Sequence, residues 1–233
     1  MTEKCIIDIA RYRGVLFDMD GVITETMPIH LEAWTRAFKP YGIDVEKMDV
    51  YAREGMTSKT MGKEIAEEKG KGLSRQDIEN IVEEKGKIFN GIATEKAKAY
   101  PGVPETLRML RNNGIKVALV TGSRVSSVKS VMDRVGLSGC FDALVTGDDV
   151  EKGKPDPEPY TRGMEKLNVE RLNCIVVENA PLGIKSAKAA GAGYVIAVKT
   201  TLDESYLKEA DDIMPSFSDL EQCLARRFAD RVT

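Results

Sequence analysis

The sequence predicts a doubly wound parallel α/β sheet, a Rossmann-like core, interrupted by an all-helical insertion. Three observations carry that reading. Short apolar runs recur along the chain without period-two alternation, as strands covered on both faces require. Amphipathic stretches separate them, which is the alternation that builds a parallel sheet. One long stretch near the start has helical periodicity only.

The first strand is Gly14 to Phe17. Residues 28–98 then break the rhythm. Pro28 suits a helix start, and His30, Trp34, Ala37 and Phe38 share one face of that helix. Ser74 suits the cap of a second helix whose stripe is Ile78, Ile81, Val82, Ile88 and Phe89. The turn-rich Tyr100-Pro-Gly-Val-Pro104 marks the return to α/β pattern. Further strands follow at Val117 to Val120, Ala143 to Val145, Cys174 to Val177 and Tyr194 to Val198. Between them, Val128, Val131, Met132 and Val135 form one helical stripe, and Tyr160, Met164 and Leu167 another. The expected organisation is a discontinuous core, residues 1–27 and 99–233, with a helical cap over 28–98. An insertion at that point lies over the carboxyl end of the sheet, where a lid belongs.

The chain has 233 residues with 37 acids, 34 bases and one histidine. A net charge of −3 offers no basic surplus for a nucleic-acid backbone. One histidine rules out sites needing several within one chain, and leaves a Ser-His-Asp hydrolase resting on His30 alone. The four cysteines, Cys5, Cys140, Cys174 and Cys223, show no metal or disulfide-scaffold spacing, so free thiols in a reducing compartment are expected. The N-terminus lacks a signal-like apolar run, and no stretch approaches a membrane span. The expectation is a cytoplasmic protein, a monomer or small homo-oligomer, with no membrane or nucleic-acid partner.

In an open parallel sheet, ligands bind beyond the carboxyl ends of the strands. Four loops there carry the chemistry: Asp18-Met-Asp20-Gly21-Val22, Thr121-Gly122-Ser123, Gly153-Lys154-Pro155-Asp156-Pro157, and Glu178-Asn179-Ala180-Pro181. Each alone is weak, since an acidic turn or a Lys-Pro pair is common. Four in this order, each at a strand end, are specific.

This set resembles the haloacid dehalogenase superfamily of phosphoryl-transfer enzymes over most of the chain. The nearest branch is the β-phosphoglucomutase-like group with its helical cap. Asp18-Met-Asp-Gly-Val-Ile-Thr-Glu-Thr26, followed by His30 and Trp34, is similar to its opening motif. The resemblance implies an Mg²⁺-dependent enzyme acting on a small phosphorylated substrate. The chemistry is consistent with that. A carboxylate attacks an anionic phosphate only when cations offset the repulsion. Asp18 is the candidate nucleophile, forming an aspartyl-phosphate. Asp20 is the candidate general acid and base, a role for which a raised pKa is expected. Thr121 and the amides of Gly122 and Ser123 suit the phosphoryl oxygens. Lys154 suits the neutralising cation. Mg²⁺ would take oxygens from Asp18, Asp20, Asn179 and the Glu178 region. Thr26 is either a hinge residue that steadies Asp20 or a simple helix cap. His30 is either a helper at the acid/base or a packed histidine. Arg124 is either a phosphate contact or a solvated arginine. Asp148 and Asp149 are either supporting residues or a surface turn.

Two departures from the family pattern matter. The fourth loop reads Glu178-Asn179 where two acids are usual, so the site loses a negative charge. In the cap, Gly55 lacks the arginine that serves a sugar's distal phosphate in the mutase branch, and Glu54 precedes it. Glu54 either reaches the metal site when the cap closes and stands in for the acid missing at 179, or is an exposed helix-end glutamate. These features favour a phosphohydrolase, with inorganic pyrophosphate as one substrate of interest. A sugar-phosphate mutase and a non-catalytic binding protein are the alternatives.

Overall fold

A computed structural model describes residues 7–229. The strands are β1 (Gly14–Phe17), β2 (Lys116–Val120), β3 (Ala143–Val145), β4 (Cys174–Glu178), β5 (Tyr194–Val198) and β6 (Asp212–Met214). They form one six-stranded sheet in the order β3-β2-β1-β4-β5-β6. Every neighbouring pair is parallel. The expected apolar runs are all strands. The additional edge strand β6 is only three residues long, and its Asp-Ile-Met sequence carries no apolar run.

The helices between the strands are α1 (Met27–Phe38), α2 (Lys47–Tyr51), α3 (Ser58–Glu68), α4 (Arg75–Lys96), α5 (Val103–Asn112), α6 (Val125–Val135), α7 (Glu158–Leu167), α8 (Pro181–Ala189) and α9 (Phe217–Ala229). The sheet has apolar cover on both faces. Val15, Phe17, Leu119 and Val177 pack with residues of α5, α6 and α9 on one side. Leu16, Val120 and Val176 pack with α7 and α8 on the other. That explains the lack of alternation, because both faces of each central strand gain from burial, about 2 kcal/mol per large apolar side chain.

Helices α1 to α4 all fall between β1 and β2 and share a separate apolar cluster around Trp34, Phe38, Ile65 and Ile81. Ser74 caps α4, accepting from the Asp77 amide at 3.1 Å, as its position suggested. Among the described cysteines, Cys140 and Cys174 are free thiols. Cys223 is disulfide-bonded, which corrects the expectation of free thiols throughout. Cys5 lies outside the described residues. No described helix is long and apolar enough to cross a membrane.

Register positions the site. Phe17 pairs level with Leu119 on β2 and with Val177 on β4. The loops opening at Asp18, Thr121 and Glu178 therefore start side by side. The chain runs outward from β1 through β2 to β3, and from β4 through β5 to β6 on the other side. The crevice at β1 and β4 is the switch point of the sheet.

Candidate active site

Asp18 is buried at the head of β1. Lys154 reaches it from the third loop and donates to Asp18 Oδ1 at 2.5 Å. The same ammonium donates to Glu178 Oε1 at 2.6 Å and to the Val120 carbonyl at 3.2 Å. Tyr160 on α7 donates its hydroxyl to Glu178 Oε1 at 2.6 Å, and the Asn179 amide donates to Glu178 Oε2 at 3.0 Å. Burial pushes the Asp18 carboxyl up to about 8, against the pull of Lys154, with Glu178 and Asp20 adding to the rise. Lys154 is buried too, but its carboxylate partners outweigh that penalty and hold it charged. Glu178 thus anchors the lysine, with both oxygens engaged. That differs from the metal-facing position expected for it.

Asp20 has a different set of partners. Thr26 donates to Asp20 Oδ1 at 2.5 Å, and His30 Nε2 lies 2.9 Å from the same oxygen. Ser123 and Thr121 donate their hydroxyls to Asp20 Oδ2 at 3.1 and 3.4 Å. Burial opposes ionisation of Asp20. His30 overcomes it, then Thr26 and Lys85, and the carboxyl is held down at about 2. The expected raised pKa is therefore corrected: these partners outweigh burial. Thr26 precedes α1 but makes no side-chain cap, so its hydroxyl serves Asp20. The Ser123 amide donates to Thr121 Oγ1 at 3.0 Å, so here that amide supports the threonine.

Lys85 on α4 completes this side. Its ammonium donates to His30 Nδ1 at 2.9 Å. It also lies 4.9 Å from the Phe89 ring centre and 5.3 Å from that of Trp34. Burial brings its pKa down to about 8. Burial and Lys85 lower the His30 pKa, while Asp20 pulls it the other way, and Nδ1 faces the ammonium as acceptor. Sequence reasoning missed Lys85. The signal was a lysine on the apolar stripe of α4, a place where lysine is buried only when paired.

Glu54 enters from the loop between α2 and α3 and is 3% exposed. It accepts from Asn179 Nδ2 at 2.7 Å and, more weakly, from Thr201 Oγ1 at 3.4 Å. Burial first, then Asp18, drives its pKa well up. The neighbouring backbone packs closely. A Cβ at Gly122 would stand 2.5 Å from the Met56 carbonyl and 2.7 Å from that of Gly55. At Gly21, where φ is +82°, it would stand 2.1 Å from Asn179 Nδ2. Glycine is needed at both places. Asp18, Asp20, Trp34, Glu54, Lys85 and Thr121 line a cavity of about 30 Å³.

The residues fit a hard divalent cation. Asn179 Oδ1 is buried without a hydrogen-bond partner, because the amide nitrogen faces Glu54 and Thr201. The buried carboxyls Asp18, Asp20, Glu54 and Glu178 outnumber the buried ammoniums Lys85 and Lys154, and the raised pKa values of Asp18 and Glu54 reflect that shortage of positive charge, which a dication would supply. No cluster of three His, Cys, Asp or Glu ligands occurs among the described residues. A donor set of carboxylates with neutral oxygens suits Mg²⁺ better than zinc.

Three expected residues stand apart from the cavity. The side chain of Arg124 is 56% exposed and lies 3.7 Å from Asp148, so it is a surface arginine. Its place before α6 did not fix the direction of its side chain. Asp148 accepts from the Val125 amide at 2.9 Å and caps α6. Asp149 accepts from the Thr146 amide and hydroxyl at 2.8 and 2.7 Å and closes a turn.

A buried aspartate pair at the switch point of a parallel sheet, one member bridged by lysine, defines an α/β enzyme that works with carboxylates. The chain belongs to the haloacid dehalogenase-like hydrolase family, which matches residues 12–191. It is 35% identical over 201 residues to a phosphorylated carbohydrates phosphatase of Thermotoga maritima, covering 82% of this chain and 87% of the relative. It is 28% identical over 205 residues to a β-phosphoglucomutase of Bacillus subtilis, covering 77% and 80%. The crystal structure of β-phosphoglucomutase from Clostridium difficile superposes with a TM-score of 0.83 over 95% of this chain and 99% of that one. Its sequence identity is 24%, so it speaks for the fold.

Proposed function

We propose that this chain is an Mg²⁺-dependent phosphohydrolase that releases inorganic phosphate from a small phosphorylated carbohydrate. The observation that carries the reading is the opposed setting of two carboxyls on one cavity. Asp18 is bridged by Lys154, and Asp20 is held apart from it by Thr26, His30 and Ser123.

An Asp18 oxygen attacks phosphorus and forms an acyl phosphate as the bond to the leaving oxygen breaks. Asp20 gives that oxygen its proton. Water then attacks the same phosphorus, Asp20 takes the water proton, and the Asp18–phosphate bond breaks. The low pKa of Asp20 suits the second half. In the first half, negative charge on the bound substrate raises its proton affinity. Lys154 offsets charge at the nucleophile, and the hydroxyls of Thr121 and Ser123 lie close enough to Asp20 to meet the transferring group. Asp18, the Asp20 backbone carbonyl and Asn179 Oδ1 would hold Mg²⁺, which supplies charge neutralisation at the phosphoryl oxygens.

The carbohydrate phosphatase relative supports the substrate class. The small cavity and the seat of Glu54 favour a second reading, inorganic pyrophosphate. The mutase reading has less support, since the cavity lining carries Lys85 and no arginine among the described residues. A phosphate-release panel with Mg²⁺ tests the proposal, using hexose and hexitol phosphates, pyrophosphate and nucleotides. Turnover of a sugar phosphate is the expected result. A higher kcat/KM for pyrophosphate than for every ester selects the second reading. No release from any of them overturns both.

A further inference from the structure

The loop after β5 carries no sequence motif, yet it touches three parts of the site. Thr200 donates its hydroxyl to the Gly21 carbonyl at 2.5 Å, fastening the first loop. Thr201 Oγ1 accepts from Asn179 Nδ2 at 2.8 Å and donates to Glu54 Oε2 at 3.4 Å. Leu202 is buried in the apolar cluster of α1 to α4, with Met27, Trp34 and Tyr51, although it belongs to the sheet-bearing part of the chain.

We propose that this loop is the dock for the Glu54 loop, with Thr201 as a positioning residue. Leu202 supplies an apolar foothold under the inserted helices. Thr201 closes a ring of three side chains with Asn179 and Glu54. In that ring both amide hydrogens of Asn179 are used, one on Glu54 and one on Thr201. The amide oxygen therefore stays free and turned from the ring, which is the orientation a cation requires. Without the hydroxyl, Asn179 loses one of the two contacts that fix its amide, and Glu54 loses a donor. What the fastening serves rests on the phosphohydrolase reading; the fastening itself does not.

Hydrogen exchange on the full metal-free chain tests the dock. Thr201→Val keeps the volume and removes the hydroxyl, and Thr201→Ser restores it. Exchange over residues 54–57 should quicken about tenfold in Thr201→Val, the effect of losing one hydrogen bond, and return in Thr201→Ser. Leu202→Ala should quicken the same segment. In phosphate-release assays the Mg²⁺ concentration for half-maximal rate should rise more than kcat falls in Thr201→Val. Exchange at 54–57 equal to wild type in Thr201→Val would overturn the proposal, as would an effect confined to Leu202→Ala. If the wild type releases phosphate from nothing, the functional reading fails while the exchange result still judges the dock.

Discussion

Asp18 and Asp20 are two residues apart, and two different regions of the molecule set their charge. The partners of Asp18 come from the sheet-bearing region: Lys154 from the third loop, Glu178 from β4 and Tyr160 from α7 behind it. The partners of Asp20 come largely from the helical insertion: Thr26 at its hinge, His30 on α1, and Lys85 on α4 acting through His30. The first region leaves a carboxyl pushed up to about 8, the second one held down at about 2. The difference teaches that one dipeptide step can place two carboxyls among unlike neighbours; without a metal their ionisation runs opposite to the proposed roles, and a cation beside Asp18 would bring that carboxyl down to the ionised form a nucleophile needs. The two groups have unlike neighbours because the chain leaves the sheet between them and the rest of the site.

The strongest way to break this division is at Asp18. Asp18→Asn keeps the shape, and phosphate release should fall by at least about 10³-fold. Activity equal to wild type would remove Asp18 as nucleophile. The two buried lysines should then respond in opposite directions. Lys154→Met strands Asp18 and Glu178 without their cation, and urea unfolding should show a loss of about 3–5 kcal/mol. Lys85→Met removes an ammonium whose pKa burial has lowered from 10.5 to about 8. A folded pKa below the unfolded one means the unfolded chain binds more protons between those values. Wild-type stability from this group therefore rises between about pH 8 and 10.5, by at most about 3 kcal/mol, and is lowest below pH 8. Unfolding of Lys85→Met across that window should lack this rise, and at pH 7 the variant should be no less stable than wild type. A large loss at pH 7 would show that both lysines serve the fold alike. The smallest effect belongs to Thr26→Val, which removes one hydrogen bond to Asp20. Here kcat/KM should fall about tenfold, and the acid limb of its pH profile should move upward as Asp20 loses a stabilising donor.

The sheet was legible because its central strands are buried on both faces and so appear as bare apolar runs. β6 was not, since an edge strand of three residues with Asp212 in it buries too little to leave a pattern. Asp18, Asp20, Thr121 and Lys154 were legible because their chemistry is packed into short motifs at strand ends. Glu54 was legible from a missing charge, the Asn at 179, and the structure brings the two side chains within 2.7 Å. Lys85 and Thr201 were hidden for different reasons. Lys85 is 55 residues from its histidine and looks like an interruption in a helix stripe. Thr201 sits in a polar loop where only three-dimensional neighbours give it meaning. Arg124 misled because position in sequence fixes the backbone of a first helical turn and leaves a long side chain free to turn toward Asp148.

The stripe of α1 has one last consequence. The chain contains a single tryptophan, Trp34, and that indole lines the cavity with the Lys85 ammonium 5.3 Å from its ring centre. Every photon of indole emission from this protein thus originates where the inserted helices meet the cavity. The molecule carries an internal optical label, and a change in the charge of Lys85 beside the ring should shift its emission.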